Sequence, residues 1–203
     1  MKSNIRVGRL AAAAAAFGLI GFLAAGCGQQ SAAGNASAAA PKASTAAPKA
    51  TSVSYSWQVV NGGNAQHSTW PFFSQDGTNP MPATITLPAN ANVTLTIKNG
   101  DDGTGAVPAA YAKVTGTVGG VETVAGQQIS SMSDTKVSHT FTVSGLGLNI
   151  PLPASSTVTV TFHTPSKAGT YTWQCYVPCG TGSDGWGGPM VTAGWMTGSI
   201  QIQ

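Results

Sequence analysis

From residue 52 onward, apolar and polar positions alternate with a period of two. Residues 52–60 read Ser-Val-Ser-Tyr-Ser-Trp-Gln-Val-Val, and an apolar residue alternating with Thr or Ser returns at 83–87, 93–97, 137–143 and 158–162. Half-buried strands show this pattern because successive side chains point to opposite faces of a sheet, whereas a helix repeats every 3.6 residues. Turn-forming runs separate these stretches: Pro88-Ala89-Asn90, Asn99-Gly100-Asp101 and the segment from Gly145 to Pro153. No stretch offers an amphipathic helix. The pattern predicts an all-β domain, an antiparallel sandwich or barrel with Greek-key connections.

The phase of each strand assigns its side chains to a face. In 137–143 the apolar set Val137, Phe141 and Val143 includes His139, and in 169–175 Tyr171 and Trp173 are joined by Cys175. Ile200 and Ile202 share a phase with Met196 if the last strand starts that early. One histidine, one cysteine and one methionine are therefore expected inside. His163 follows Thr157, Thr159 and Thr161 on an outward phase and reads as a solvated surface histidine. The connection from Asp101 to Lys136 is longer than sandwich strands usually need. Alternation at 111–118 and 121–124 around Gly119-Gly120 predicts an inserted hairpin, lying beside the strand that carries His139.

The N-terminus changes the charge picture. Lys2, Arg6 and Arg9 precede an apolar stretch from Leu10 to Ala25 and a small-residue site, the layout of an export signal. The stretch is too short and too rich in Ala and Gly for a membrane span. The formal charge of +3 arises in that signal, and the chain beyond it carries six Lys against six acidic residues. From Val53 onward there are four Lys against six acids and no Arg. Nucleic-acid binding, which needs a basic patch to neutralise phosphates, is excluded as an expectation. Residues 28–52 consist mainly of Ala, Ser, Pro, Lys and Gly and cannot bury enough surface to offset ordering entropy. The chain thus divides into a signal (1–27), a disordered tether (28–52) and one folded domain (53–203).

Reactive side chains are few. No Ser/His/Asp arrangement or carboxylate pair can be placed, so the chain is not expected to be an enzyme. The chemistry gathers in Tyr-Thr-Trp-Gln-Cys-Tyr-Val-Pro-Cys-Gly, residues 171–180, where Cys175 and Cys179 precede a Gly/Trp-rich loop holding Met190 and leading to Met196. Thiolate, imidazole and thioether together form the donor set that selects copper. Two rival readings stay open. Once Cys27 is set apart, Cys175 and Cys179 are the remaining cysteines, and in an oxidising compartment they can close as a disulfide if their Cα atoms approach within about 7 Å. That leaves a metal-free structural or docking module. Alternatively, Trp186 and Trp195 form an exposed aromatic patch on a carbohydrate- or wall-binding sandwich. His67, in a polar stretch before Pro71-Phe-Phe, reads as a surface-loop residue.

Two resemblances extend this reading. Leu23-Ala24-Ala25-Gly26-Cys27 resembles the lipobox of bacterial lipoproteins, which implies lipidation of Cys27 and a lipid anchor on the outer face of a bacterial cell membrane. An ordinary secretory signal with a chance cysteine is the alternative. Residues 83–98, 137–153, 169–180 and 196–202 resemble the cupredoxin family, in particular the periplasmic copper-A domain of cytochrome c oxidase subunit II. The resemblance implies a cupredoxin-like Greek-key β-sandwich, copper as cofactor, and electron transfer or copper handling with a redox protein partner. It implies His139, Cys175, Cys179 and one of Met190 or Met196 as ligands, with a backbone-carbonyl ligand falling on Val177. The chain departs from the family's Cys-x3-Cys-x3-His-x2-Met. Ser183 stands four residues after Cys179 and Ala193 three before Met196, so the second histidine is missing and residues 181–195 are an insertion. The implied centre is weaker than copper-A or differently coloured, with a mononuclear form open.

Overall fold

The alternating stretches at 52–60, 83–87, 93–97, 137–143 and 158–162 all give strands, whereas 111–118 does not. The computed structural model describes residues 50–203; the expected export signal, Cys27 and the expected tether up to residue 49 lie outside the described residues. Eleven strands follow in order: β1 (Thr51–Val60), β2 (Phe72–Ser74), β3 (Thr84–Leu87), β4 (Ala91–Asn99), β5 (Glu122–Val124), β6 (Gln127–Ile129), β7 (Val137–Val143), β8 (Leu148–Pro153), β9 (Thr157–His163), β10 (Gly169–Gln174) and β11 (Thr197–Ile202). The first starts two residues ahead of the boundary drawn at 53.

The strands form two sheets, ordered β2-β1-β4-β9-β5-β6 and β3-β11-β10-β7-β8. After the β7–β8 hairpin the chain crosses to β9 in the other sheet and returns to place β10 beside β7, a Greek-key path. The expectation of purely antiparallel sheets needs correction, because β1 pairs with β4 and β3 with β11 in parallel. Parallel neighbours need a crossover; here β3, in the opposite sheet, lies on the path from β1 to β4.

Leu148–Pro153, expected as turn, is strand β8. Its prolines mislead, since Pro lacks a ladder donor; but β8 is the edge of its sheet, where Pro is tolerated. The inserted hairpin exists but is displaced. Its apex is Ala125-Gly126, its arms are β5 and β6, and β5 pairs with β9, not with the strand carrying His139. Gly119-Gly120 forms a short 3-10 turn instead. The segment before the hairpin meets β7 at its start, where the Gly105 N–H donates to the Val137 carbonyl at 3.0 Å, and otherwise lies against β8. Thr115 bridges to Asn149 on β8, and the Asn149 amide donates to the carbonyls of Tyr111 (3.1 Å) and Lys113 (2.6 Å). β7 is consequently buried along its whole length, its threonines included, where period-two alternation implied one wet face.

The largely aliphatic core between the sheets holds an aromatic cluster. Phe141 lies 5.2 Å from Trp57, 5.7 Å from Phe73 and 5.4 Å from Trp173, centroid to centroid. Such pairs add about 0.5–1.5 kcal/mol each beyond burial. Outside, paired hydroxyls run along the β4–β9 ladder, Thr94 with Thr161 and Thr96 with Thr159. The aromatic cluster braces β7 and β10, the strands that carry the site, with Phe141 and Trp173 as its floor.

Candidate metal centre

β7 and β10 are antiparallel neighbours in register Thr142 to Gln174. Moving outward from that pair, β7 runs back through Phe141 to His139 while β10 runs on to Cys175, so both side chains emerge at one end of the sandwich above the Phe141–Trp173 floor. β10 ends there. The Cys175 N–H still donates to the Met196 carbonyl at 2.8 Å, which holds the start of β11 against the loop.

The Cys175 Sγ lies 3.8 Å from His139 Nδ1 and 3.8 Å from Cys179 Sγ. One donor atom from each of the three residues lies within 4.8 Å of the others, an arrangement that could hold a metal ion. Met190 completes the group, its Sδ 3.2 Å from Cys179 Sγ. The Val177 carbonyl oxygen is 3.7 Å from Cys175 Sγ. Both cysteines are free thiols. His139 and Cys175 are fully buried, Met190 nearly so, and Cys179 is half-buried.

Electrostatics bind the cluster together. Burial would depress the His139 imidazole, but its hydrogen bond to Asp101 and its pairing with Cys175 outweigh that and push it up to about 9. For Cys175, burial opposes ionisation, yet hydrogen bonds from Cys179 and His139 and the nearby imidazolium carry the thiol well below its ordinary value. Cys179 moves the other way, raised first by its hydrogen bond to Cys175 and then by burial. These directions favour a protonated His139 beside an ionised Cys175, with the proton held on Cys179. The Thr140 N–H donates to the Cys175 sulfur at 3.4 Å, and the Thr140 hydroxyl accepts the Tyr176 N–H at 2.8 Å.

The loop from Cys179 to Met196 is folded tightly on itself. Thr181 and Gly187 exchange backbone hydrogen bonds at 3.1 and 2.8 Å, and the Gly180 N–H donates to Gly185 at 2.7 Å. A Cβ on Gly180 would run into the Gly187 carbonyl and the Met190 side chain, so this glycine is what lets Met190 reach Cys179. Met196 is fully buried in the core and meets Cys175 through its backbone carbonyl; the thioether contact to the cysteines is made by Met190.

The remaining candidates lie apart. His67 stacks on Trp70 at 3.7 Å and meets Trp195 edge-on, away from the sulfurs. His163 is exposed and pairs with Asn92. Trp195, expected in an exposed patch, is 6 % exposed and packed among Phe72, Trp70 and His67, because the chain before β2 folds over the loop. Trp186 stays 37 % exposed. Asp101 is the residue the sequence did not announce. Its Oδ2 is 2.9 Å from His139 Nε2 across 38 positions, and its turn setting had already accounted for it.

No protein-family profile and no curated protein sequence matches the chain. Solved structures that resemble it include rusticyanin from Thiobacillus ferrooxidans, at 17% identity and a TM-score of 0.35, covering 76% of this chain and 79% of that one. A heme-copper terminal oxidase resembles it at 13% identity and a TM-score of 0.36, covering 73% of this chain and 65% of that one. A multi-copper oxidase from Pediococcus acidilactici does so at 10% identity and a TM-score of 0.35, covering 75% of this chain but 26% of the oxidase. The chain thus spans about a quarter of one of these proteins and about two thirds of another. These likenesses are distant, and the chemistry below rests on the donor set.

Proposed function

We propose that the chain is a cupredoxin-like copper protein that passes single electrons, holding one copper ion between His139, Cys175 and Cys179 with Met190 as thioether donor. The observation that carries this reading is the convergence of two sulfurs and an imidazole nitrogen in a buried pocket, with a third sulfur beside them. Such donors fit copper and disfavour hard cations, which prefer oxygen. The one nearby carboxylate is turned to the far nitrogen of His139. With a single histidine in the cluster, Cys179 takes the place an imidazole has in a two-histidine centre, and the set suits one ion.

Bound there, copper supplies a one-electron couple between Cu(II) and Cu(I), the electron coming from one redox-protein partner and going to another. The chain's residues prepare the place. To hold the ion, His139 would present an unprotonated Nδ1 and Cys179 a thiolate, each proton passing to solvent. The Thr140 N–H stays on the Cys175 sulfur and moderates its charge. The Phe141–Trp173 floor keeps water out and fixes the donors, so little rearrangement accompanies a change of charge. Cys179 is the least buried of the three and offers the shortest way out. Trp186 and Val191 stand exposed on the loop that carries Met190, an apolar rim for a redox partner. No organic substrate is turned over. The lipobox-like Cys27 tethers the domain outside the cytoplasmic membrane of a bacterium, and Cys27→Ser is expected to move the protein from the membrane fraction to the soluble one; a variant still membrane-bound after a salt wash contradicts the anchor.

The test of the copper reading is titration of the reduced chain with copper. One equivalent is expected to bind and give a thiolate charge-transfer band that Cys175→Ser abolishes, His139→Ala shifts or weakens, and His163→Ala leaves unchanged. The second reading, a metal-free docking module, is favoured by the 3.8 Å between the two cysteine sulfurs, close enough that an oxidant taking two electrons, with loss of both thiol protons, would close them as a disulfide after a small rotation. Absence of copper uptake after full reduction, with the two cysteines disulfide-linked as isolated, selects that reading instead.

A further inference from the structure

We infer that Asp101 is a positioning residue of this centre: by accepting the Nε2–H of His139 on its Oδ2, it aims Nδ1 at the two cysteine sulfurs. A histidine offers either nitrogen to a metal, and the choice is set by what holds the other. Here the Nε2 side is closed by a carboxylate at 2.9 Å, and the Nδ1 side faces Cys175 at 3.8 Å. An ionised carboxylate can accept and cannot donate, so it stabilises the hydrogen on Nε2 and leaves Nδ1 as the site of exchange between proton and metal. The ring is fully buried, so its partners within the fold set its orientation.

The carboxylate is itself held by independent bonds. Its other oxygen, Oδ1, accepts the Gly103 N–H and the Asn61 side-chain amide, each at 2.9 Å. Its backbone is fixed as well, the N–H donating to Asn99 Oδ1 at 3.0 Å and the carbonyl accepting the Ser155 N–H at 2.8 Å. Three donors thus converge on two oxygens. Asparagine, with one acceptor oxygen and a donating NH2, cannot serve both sides: its amide must face either the His139 ring or the Gly103 and Asn61 donors. An aspartate is therefore required, and its two oxygens have separable duties, Oδ1 to the loop and Oδ2 to the histidine.

Loss of such an outer partner typically weakens metal binding about 10–100-fold. The role of Asp101 toward copper rests on the copper reading above; its hold on the His139 ring does not. The experiment compares the parent with Asp101→Asn, Asp101→Ala and Asn61→Ala. Cu(I) affinity is measured by competition with a chromophoric chelator, and exchange of the His139 Nε2–H with solvent is followed by 15N NMR in metal-free and Cu(I)-loaded protein. Both Asp101 variants are expected to bind Cu(I) about 10–100-fold more weakly and to lose Nε2–H protection. Asn61→Ala, which removes one of the two donors to Oδ1 and leaves the Gly103 N–H in place, is expected to keep both near the parent values. Parent-like affinity and protection in Asp101→Ala overturn the proposal, and so does an Asn61→Ala variant that loses as much as Asp101→Asn, since Asp101 then acts through the loop alone. If the parent takes up no copper, the copper reading fails while the metal-free exchange measurement still decides whether Asp101 holds the ring.

Discussion

Cys179 Sγ and Met190 Sδ stand 3.2 Å apart at the two ends of a loop that folds back through paired Thr181 and Gly187. Met196, six positions further on and fully buried, meets the site through its carbonyl. The two methionines therefore do different work. Met190→Leu is expected to shift both the charge-transfer band and the reduction potential of the copper-loaded protein, since a weak thioether donor tunes both. Met196→Leu is expected to leave both in place and to cost less than about 1.5 kcal/mol of stability, as volume-conserving core swaps do. Visible spectra and voltammetry of the two variants decide it; an equal shift in both, or a shift in Met196→Leu alone, contradicts the assignment.

Glu122 on β5 is buried with neither carboxylate oxygen bonded to a partner among the described residues. Burial pushes its pKa from 4.5 up to about 8. The folded chain keeps this proton where the unfolded chain releases it, so between those values the native state binds more protons and stability falls as pH rises. The contribution is complete below about pH 4.5 and lost by about pH 8, with an upper limit of roughly 3–5 kcal/mol. Denaturant midpoints measured from pH 4 to 9 are expected to fall in the parent and to stay flatter in Glu122→Gln, which overtakes the parent at pH 8. Identical profiles contradict a buried, neutral carboxyl.

Ala125 and Gly126 join β5 to β6 with φ of 49° and 81°. Both lie in the left-handed region that a two-residue hairpin turn requires, but alanine pays for its Cβ there, about 1–2 kcal/mol. Ala125→Asn is expected to raise stability by about 1 kcal/mol with an unchanged denaturant slope. A neutral or destabilising result rules out strain at this turn.

That same alanine explains part of what the sequence hid. Hairpin turns announce themselves through Gly, Asn or Asp, and Ala125 does not, so the neighbouring Gly119-Gly120 attracted the assignment. β8 was concealed by Pro151 and Pro153, which are compatible with a strand only at an edge, and edges are a property of the assembled sheet. By contrast, β1, β4, β7, β9 and β10 were legible because one residue in two is apolar and the next is Thr or Ser, a pattern set by burial of one face. At the site, strand phase placed His139 and Cys175 inside without any structure. It could not choose between Met190 and Met196, because the fold of a glycine-rich loop brings the first to Cys179. Nor could it find Asp101, whose bond to His139 spans two loops with no local signal.

On the proposed reading, one copper ion is held by a single imidazole and two thiolates. X-ray absorption at the copper edge of the loaded protein, compared with Cys179→Ser, tests it most directly by counting the scatterers. Two short copper–sulfur contacts and one imidazole are expected in the parent, one sulfur fewer in the variant, and no copper–copper scattering. A parent with a single short sulfur and two or more imidazoles, or with a second copper at close range, contradicts it.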